Sequence, residues 1–170
     1  MIAGLFSISI LLSSCGYNTM VELDEKVSSQ WAQVQNVYQR RADLIPNLVN
    51  TVKGYANFEK DVLIGVTEAR AKATSVNVDA SKLTPESIQQ FQQAQSGLSS
   101  ALSKLLVTVE KYPDLKANQN FLELQAQLEG TENRITVERQ KFNEVTQEYN
   151  ATIRKFPGNL TASMFGFAKK

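Results

Sequence analysis

From Val21 to about Ala56 the apolar positions follow a strict helical rhythm. Val27, Trp31, Val34, Tyr38, Arg41, Ile45, Leu48, Val52 and Tyr55 are separated alternately by four and three residues. This is a heptad seam of coiled-coil type. Val37, Leu44 and Val49 widen it into a face suited to a bundle core. The pattern predicts a first helix about 54 Å long at 1.5 Å per residue. Arg41 is the single charged member of the seam, and Pro46 interrupts it by withdrawing the backbone donor that would reach Ala42, which predicts a kink. A break is expected near Gly54–Asn57, with Asn57 able to cap the next helix. The seam also runs on through Val62, Val66, Ala69 and Ala73, so one helix continuous to about Ala73 stays open.

A second helix is predicted from Phe58 to Ser75, followed by a polar loop over 76–82. The third opens with Thr84 as N-cap, Pro85 in the first helical position, and Leu83 with Ile88 as a hydrophobic staple. Its inner face is Ile88, Phe91, Gln95, Leu98, Leu102, Leu105 and Val109. The fourth starts between Asp114 and Asn118 and runs to about Lys155. It turns Phe121, Leu124, Leu128, Ile135, Phe142, Val145, Tyr149, Ile153 and Phe156 inward, with Gly130 interrupting it and Pro157-Gly158 stopping it. Short connections between four helices predict an all-α, up-and-down four-helix bundle with long first and last helices.

In that topology the first and last helices are antiparallel, and setting Val21 against Lys155 brings Arg41 near Ile135, between Glu132 and Glu138. The expected arrangement is a buried polar layer of Arg41, Asp43, Glu132 and Arg134, beside a close helix contact between Pro46 and Gly130. The other reading leaves these charges solvated. A buried ion pair of this kind fixes register more readily than it adds stability. Arg40 and Asn47 are then the candidates for the exposed edge that a partner would meet.

The N-terminus breaks the pattern. Residues 1–14 carry no charge, and the apolar run Ile2–Leu12 is shorter than the roughly 20 residues a spanning helix needs. It suits the apolar core of a signal peptide. It ends in Leu12-Ser13-Ser14-Cys15-Gly16, which resembles a bacterial lipobox, with Cys15 as the acylated residue and palmitate among its chains. Residues 1–15 thus read as a leader and 16–170 as the folded domain, with a tail over 157–170. No Lys or Arg precedes the apolar run, and no Asp follows the cysteine. The bundle topology places the tail beside the acylated end. Phe165 and Phe167, with Lys169 and Lys170, either touch the membrane interface or cap the open end of the bundle.

Composition removes more chemistry than it adds. In 170 residues there is no His and a single Cys, which excludes His-based triads, HExxH zinc sites, disulfides and Cys-rich metal sites. Lys+Arg 18 against Asp+Glu 17 gives a net charge of +1, which implies no nucleic-acid partner. No phosphate-binding glycine loop occurs, and no cofactor is expected. Carboxylate chemistry would have to use Asp43, Glu132 and Glu138.

Several motifs together resemble the LemA family of bacterial membrane-associated helical proteins. They are Tyr17-Asn18, residues 40–49 (RRADLIPNLV), Val52-Lys53-Gly54-Tyr55-Ala56, Val66-Thr67-Glu68-Ala69-Arg70, Tyr112 to Ala117, Phe121 to Leu128, Glu129 to Ile135, Phe156-Pro157-Gly158 and Phe165-Gly166-Phe167. The resemblance spans nearly all of the mature chain. It implies a four-helix bundle held at a membrane with its bulk outside the cytoplasm, in the periplasm or at the cell surface, and no established enzymatic activity or cofactor. Many members carry an N-terminal transmembrane helix, which a lipobox replaces here, and the family's usual aromatic and acidic C-terminus does not follow Lys170. Together these readings favour a non-enzymatic, lipid-anchored scaffold or partner-binding protein of the cell envelope, with a membrane protein such as a protease as partner. A peptidoglycan- or lipid-binding module and, more remotely, a carboxylate-only hydrolase are the alternatives.

Overall fold

The computed structural model describes residues 2–55 and 57–170, with side chains from residue 16 onward. The described residues are helical throughout and contain no strand. They form α1 (Ile2–Lys53), α2 (Lys60–Ser75), a 3-10 turn (Ala80–Lys82), α3 (Pro85–Val109), α4 (Pro113–Lys116), α5 (Gln119–Arg154) and α6 (Gly158–Phe165). Six α-helices therefore stand where the periodicity predicts four. The two additions are the single turn at Pro113 and a helix made from the tail.

The heptad seam of α1 is the spine of the core. Val27, Trp31, Val34, Tyr38, Arg41, Ile45, Leu48 and Val52 are all buried, and Met20 and Leu23 extend the line. Helix α1 begins well before Val21, running back to Ile2 through a stretch with no proline to stop it. The side chains of the lipobox, Cys15 included, lie outside the described residues. No helix among the described residues is long and apolar enough to cross a membrane. At the other end α1 stops at Lys53 and the continuous alternative fails. Asn57 takes a left-handed φ of 66° in the turn, a conformation Asn tolerates, and Glu59 occupies the cap position expected of Asn57.

Helices α1 and α5 run antiparallel, as Gln30 reaching Glu138 and Arg41 reaching Glu132 require. Helices α2 and α3 form a second antiparallel pair, tied by Gln95 to Ala73 at one end and Lys111 to Glu59 at the other. Thr84 caps α3 in a reciprocal capping box with Ser87, as its sequence predicts. Gly130 does not interrupt α5. Strong helix formers flank it, and the roughly 1 kcal/mol that glycine costs against alanine is offset by the buried Leu128, Thr131 and Ile135 around it.

Beyond the reach of α2, the upper part of α1 is covered by α5, α6 and the loop after Ser75. That loop is a strap, not a solvated connection. Val78 is buried, and its carbonyl accepts from Trp31 Nε1 (3.2 Å) and Gln35 Nε2 (2.9 Å). Trp31 in turn packs on Phe91 and Phe142 with ring centroids about 5 Å apart. Gly158 lets α6 fold back, because a Cβ there would lie 2.5 Å from the Thr152 carbonyl oxygen. Phe156, expected inward, projects into solvent at 80% exposure because α5 has already ended at Arg154.

Residues after α6 return along α5. Gly166 closes the helix in the left-handed region (φ 77°), and Tyr149 donates to the Ala168 carbonyl at 2.9 Å. The Asn150 side chain brackets the Lys170 backbone, donating to its carbonyl (2.7 Å) and accepting from its N–H (3.1 Å). Lys170 Nζ lies 2.5 Å from Asp24, which ties this segment to α1. Burial, followed by the neighbouring Asp24 carboxylate, pushes the Tyr149 hydroxyl from 10.0 to about 12. The unfolded chain releases that proton first, so between these values it binds fewer protons than the folded form and stability falls as pH rises. In urea unfolding at about pH 9 and about pH 11, Tyr149→Phe will lose less stability across the interval than the parent. An equal loss would remove Tyr149 as the source.

Candidate functional site

Where α1, α3 and α5 come level with one another, the apolar core is interrupted. One buried cluster ends at Tyr38, Phe91 and Ile135, and the other begins at Ile45, Leu98 and Leu128. Between them lie Arg41, 1% exposed, and Gln95, 6% exposed. The heptad spacing delivers both to this level, since each occupies a seam position of its helix. Seam position fixes which way a side chain points, whatever its polarity.

Arg41 uses its planar fork fully on one side. Nη1 donates to Glu132 Oε1 (2.6 Å) and Ser99 Oγ (2.8 Å). Nη2 donates to Gln95 Oε1 (2.7 Å) and to the Gln95 carbonyl (3.2 Å). The Tyr38 ring sits 5.0 Å from Cζ, within cation–π range. Nε has no hydrogen-bond partner among the described residues. Gln95 passes the connection on by donating from Nε2 to the Ala73 carbonyl of α2 (3.2 Å). Four helices thus meet around one cation. Glu132 is the outermost member, its side chain 47% exposed, at the edge of a groove of about 450 Å³ that also holds Arg139 and Gln140.

The second feature of the opening motif is resolved one residue along. Pro46 leaves the Ala42 carbonyl without its helical donor, inside a buried stretch. Arg70 of α2 supplies the missing donor, its Nε reaching that oxygen at 2.8 Å. Helix α1 runs on through Pro46 because the lost bond is replaced from a neighbouring helix.

The expected layer is corrected in four places. Asp43 is exposed and accepts from Gln39 (2.8 Å), because a residue two positions from Arg41 faces away from it. Arg134 is exposed on the outer face of α5. Pro46 and Gly130 are both exposed, and a Cβ at Gly130 would meet nothing within 4 Å, so no close helix contact exists there. The helix alignment differs by just under one turn, Arg41 meeting Glu132 where the periodicity predicts Ile135. Arg40 and Asn47 are exposed on α1, as the partner edge requires. Phe167 is half-buried against the upper core, while Phe165 is 57% exposed and packs on Tyr17 at 4.7 Å.

Gln95, Ser99 and Arg70 escape sequence reasoning as site residues. Gln95 carries a signal, being the one polar residue in the α3 seam. Ser99 carries none. Arg70 sits among motif residues, but nothing in the spacing links it to Ala42.

A carboxylate pair able to do acid–base work is absent from this centre among the described residues. Asp43 points to solvent. Glu138 is held by Gln30 (2.6 Å) and Lys141 (2.9 Å), and these hydrogen bonds, that from Lys141 foremost, lower its pKa. A general acid needs the opposite shift.

The chain belongs to the LemA family, whose model matches residues 30–170. It is similar to Magnetosome protein MamQ 2 of Paramagnetospirillum magneticum (strain ATCC 700264 / AMB-1), 25% identical over 174 residues, covering 90% of this chain and 62% of the relative. It is similar also to Protein LemA of Metamycoplasma hominis (strain ATCC 23114), 25% identical over 145 residues, covering 85% of this chain and 63% of that one. The chain thus spans less than two thirds of the length of these relatives.

If Arg70 is the surrogate donor for the bond Pro46 withdraws, the two residues are coupled. Arg70→Met should cost about 1–2 kcal/mol in the parent chain. In a Pro46→Ala background, where residue 46 regains its N–H, the same change should cost below about 0.5 kcal/mol. Urea unfolding of the four chains measures the cycle, and equal costs in both backgrounds would break the coupling.

Proposed function

We propose that this LemA-family chain is a non-enzymatic, lipid-anchored protein of the bacterial cell envelope, with residues 16–170 outside the cytoplasm as a bundle of its four longer helices. The observation that carries this reading is how Arg41 is used. The most polar point in the core has its guanidinium turned onto Glu132, Ser99 and Gln95, so it serves as a joint between helices. A site consumed in this way holds a scaffold in shape and leaves recognition to surfaces. The edge we assign to a partner is the outer face of α1, where Arg40 and Asn47 are exposed. A long polar helix face of this kind suits another envelope membrane protein, a protease included.

The anchor is Cys15 at the end of the apolar run Ile2–Leu12. Acylation there would hold the chain stably, since each buried methylene contributes about 0.8 kcal/mol. Cys15→Ala is expected to abolish palmitate labelling and to leave either released protein or unprocessed precursor. Persistent labelling with unchanged membrane retention would refute the anchor. For the partner edge, a photo-crosslinking residue at position 47 should capture one envelope protein that the same residue at position 122, on α5, does not.

A further inference from the structure

The tail helix α6 is amphipathic in a way the rest of the molecule does not explain. Its inner side carries Ala162, which is buried, and Thr161, which faces Gly16 of α1. Its outer side carries Leu160 and Met164, one turn apart, and Phe156, just before the helix, is also exposed. Met164 is 79% exposed and Leu160 57%. Together with Phe165 these form the densest group of exposed large apolar side chains among the described residues. Isolated exposed apolar residues need no explanation, but a contiguous group does.

We infer that the outer face of α6 lies on an anionic lipid bilayer as a second membrane contact, independent of acylation. Two observations select lipid over other occupants. The first is position. Gly16 against Thr161 sets α6 beside the residue that follows Cys15, at the end of α1 that leads into the uncharged segment 1–14. The second is charge. Arg154 and Lys155 directly precede Phe156, and Lys169 follows on the other side, all three exposed. Of the acidic groups at this end, Asp24 is taken by Lys170 and Glu22 by Lys26, while Glu25 and Glu148 are exposed on α1 and α5, farther along the sequence from α6 than the three cations. An apolar face edged with cations that form no ion pair among the described residues is the pattern of an interfacial helix on anionic headgroups. Sequence reasoning points to Phe165 and Phe167 for this role. Phe167 is turned inward, and the side chains that face out are Leu160 and Met164 on α6 and Phe156 just before it.

This inference rests on the reading that the N-terminal end sits at a membrane, but its test does not use the acyl chain. The full chain carrying Cys15→Ser and Met164→Cys is labelled with an environment-sensitive fluorophore. The control carries Val107→Cys, on α3 and 69% exposed. Both are mixed with phosphatidylcholine vesicles, with and without phosphatidylglycerol, and floated. The label at 164 should shift to the blue and brighten on the anionic vesicles, with a weaker response on neutral ones and none at 107. Phe156→Ser with Leu160→Ser should reduce the fraction floated several-fold, leaving the thermal melt unchanged because both side chains are exposed. A label at 164 that stays in water on floated protein would overturn the inference, as would failure to float at all. A blue shift without vesicles that grows with protein concentration would assign the face to a second copy and overturn it equally. Loss of palmitate labelling bears on Cys15 alone, so the two readings fail separately.

Discussion

A guanidinium carried into the middle of an apolar core governs how everything around it is arranged. Removing such a group from water costs several kcal/mol unless its donors and charge are answered on site. Here the answers come from three helices, with Glu132 from α5, Ser99 and Gln95 from α3, and Tyr38 from α1 itself. The constraint is directional as well as energetic, because the planar fork accepts partners only in its own plane. Sliding α5 by one turn would present Leu128 or Thr136 where Glu132 stands and leave the cation without an anion. Apolar layers above and below are far more tolerant, since leucines and valines pack acceptably in several alignments. The polar layer therefore discriminates between registers that the two hydrophobic clusters alone would leave close in energy.

Next to this joint lies a defect and its repair. Pro46 opens the backbone of α1 four residues after Ala42, and Arg70 closes it from α2. Gln95 reaches α2 at nearly the same level through Ala73. So α2 and α3 are tied to each other there, and both are fastened to α1 at adjacent residues, α2 by Arg70 to the Ala42 carbonyl and α3 by Gln95 to Arg41. Both arginines spend their polarity inside the molecule. This is why the surfaces, and not the centre, carry the functional proposals: the outer face of α1 for a protein partner and the outer face of α6 for lipid.

Much of this is legible in the order of residues. An unbroken alternation of four and three identifies the buried seam of α1 from Val27 to Val52, Arg41 included, though not the buried Met20, Leu23 and Ala42, and the charge of Arg41 points to Glu132. What periodicity cannot supply is azimuth away from the seam. Asp43 and Arg134 group with Arg41 only because they are close along the chain or across it. On a helix, though, a residue two positions away points to the far side. The alignment of α5 errs by nearly a turn, since antiparallel helices with similar seams have several workable offsets. Arg70 is invisible because a replacement for one backbone bond follows no repeat. Val78 and α6 are hidden differently. A segment of about two turns or fewer is too short to give a period to read, so the strap over Trp31 and the tail helix emerge only from the folded chain.

The most direct test compares removal of the two ends of the Arg41–Glu132 pair by urea unfolding. Arg41→Met frees a half-exposed carboxylate that water can take up and strands chiefly the Gln95 amide oxygen, a loss of about 1–2 kcal/mol. Glu132→Met leaves a buried cation without its anion, and should cost about 2–3 kcal/mol although the residue removed is the more exposed of the two. The double variant should regain part of that loss. If Glu132→Met instead unfolds together with the parent chain, the buried guanidinium does not depend on its carboxylate, and the polar layer does not hold the register of the helices.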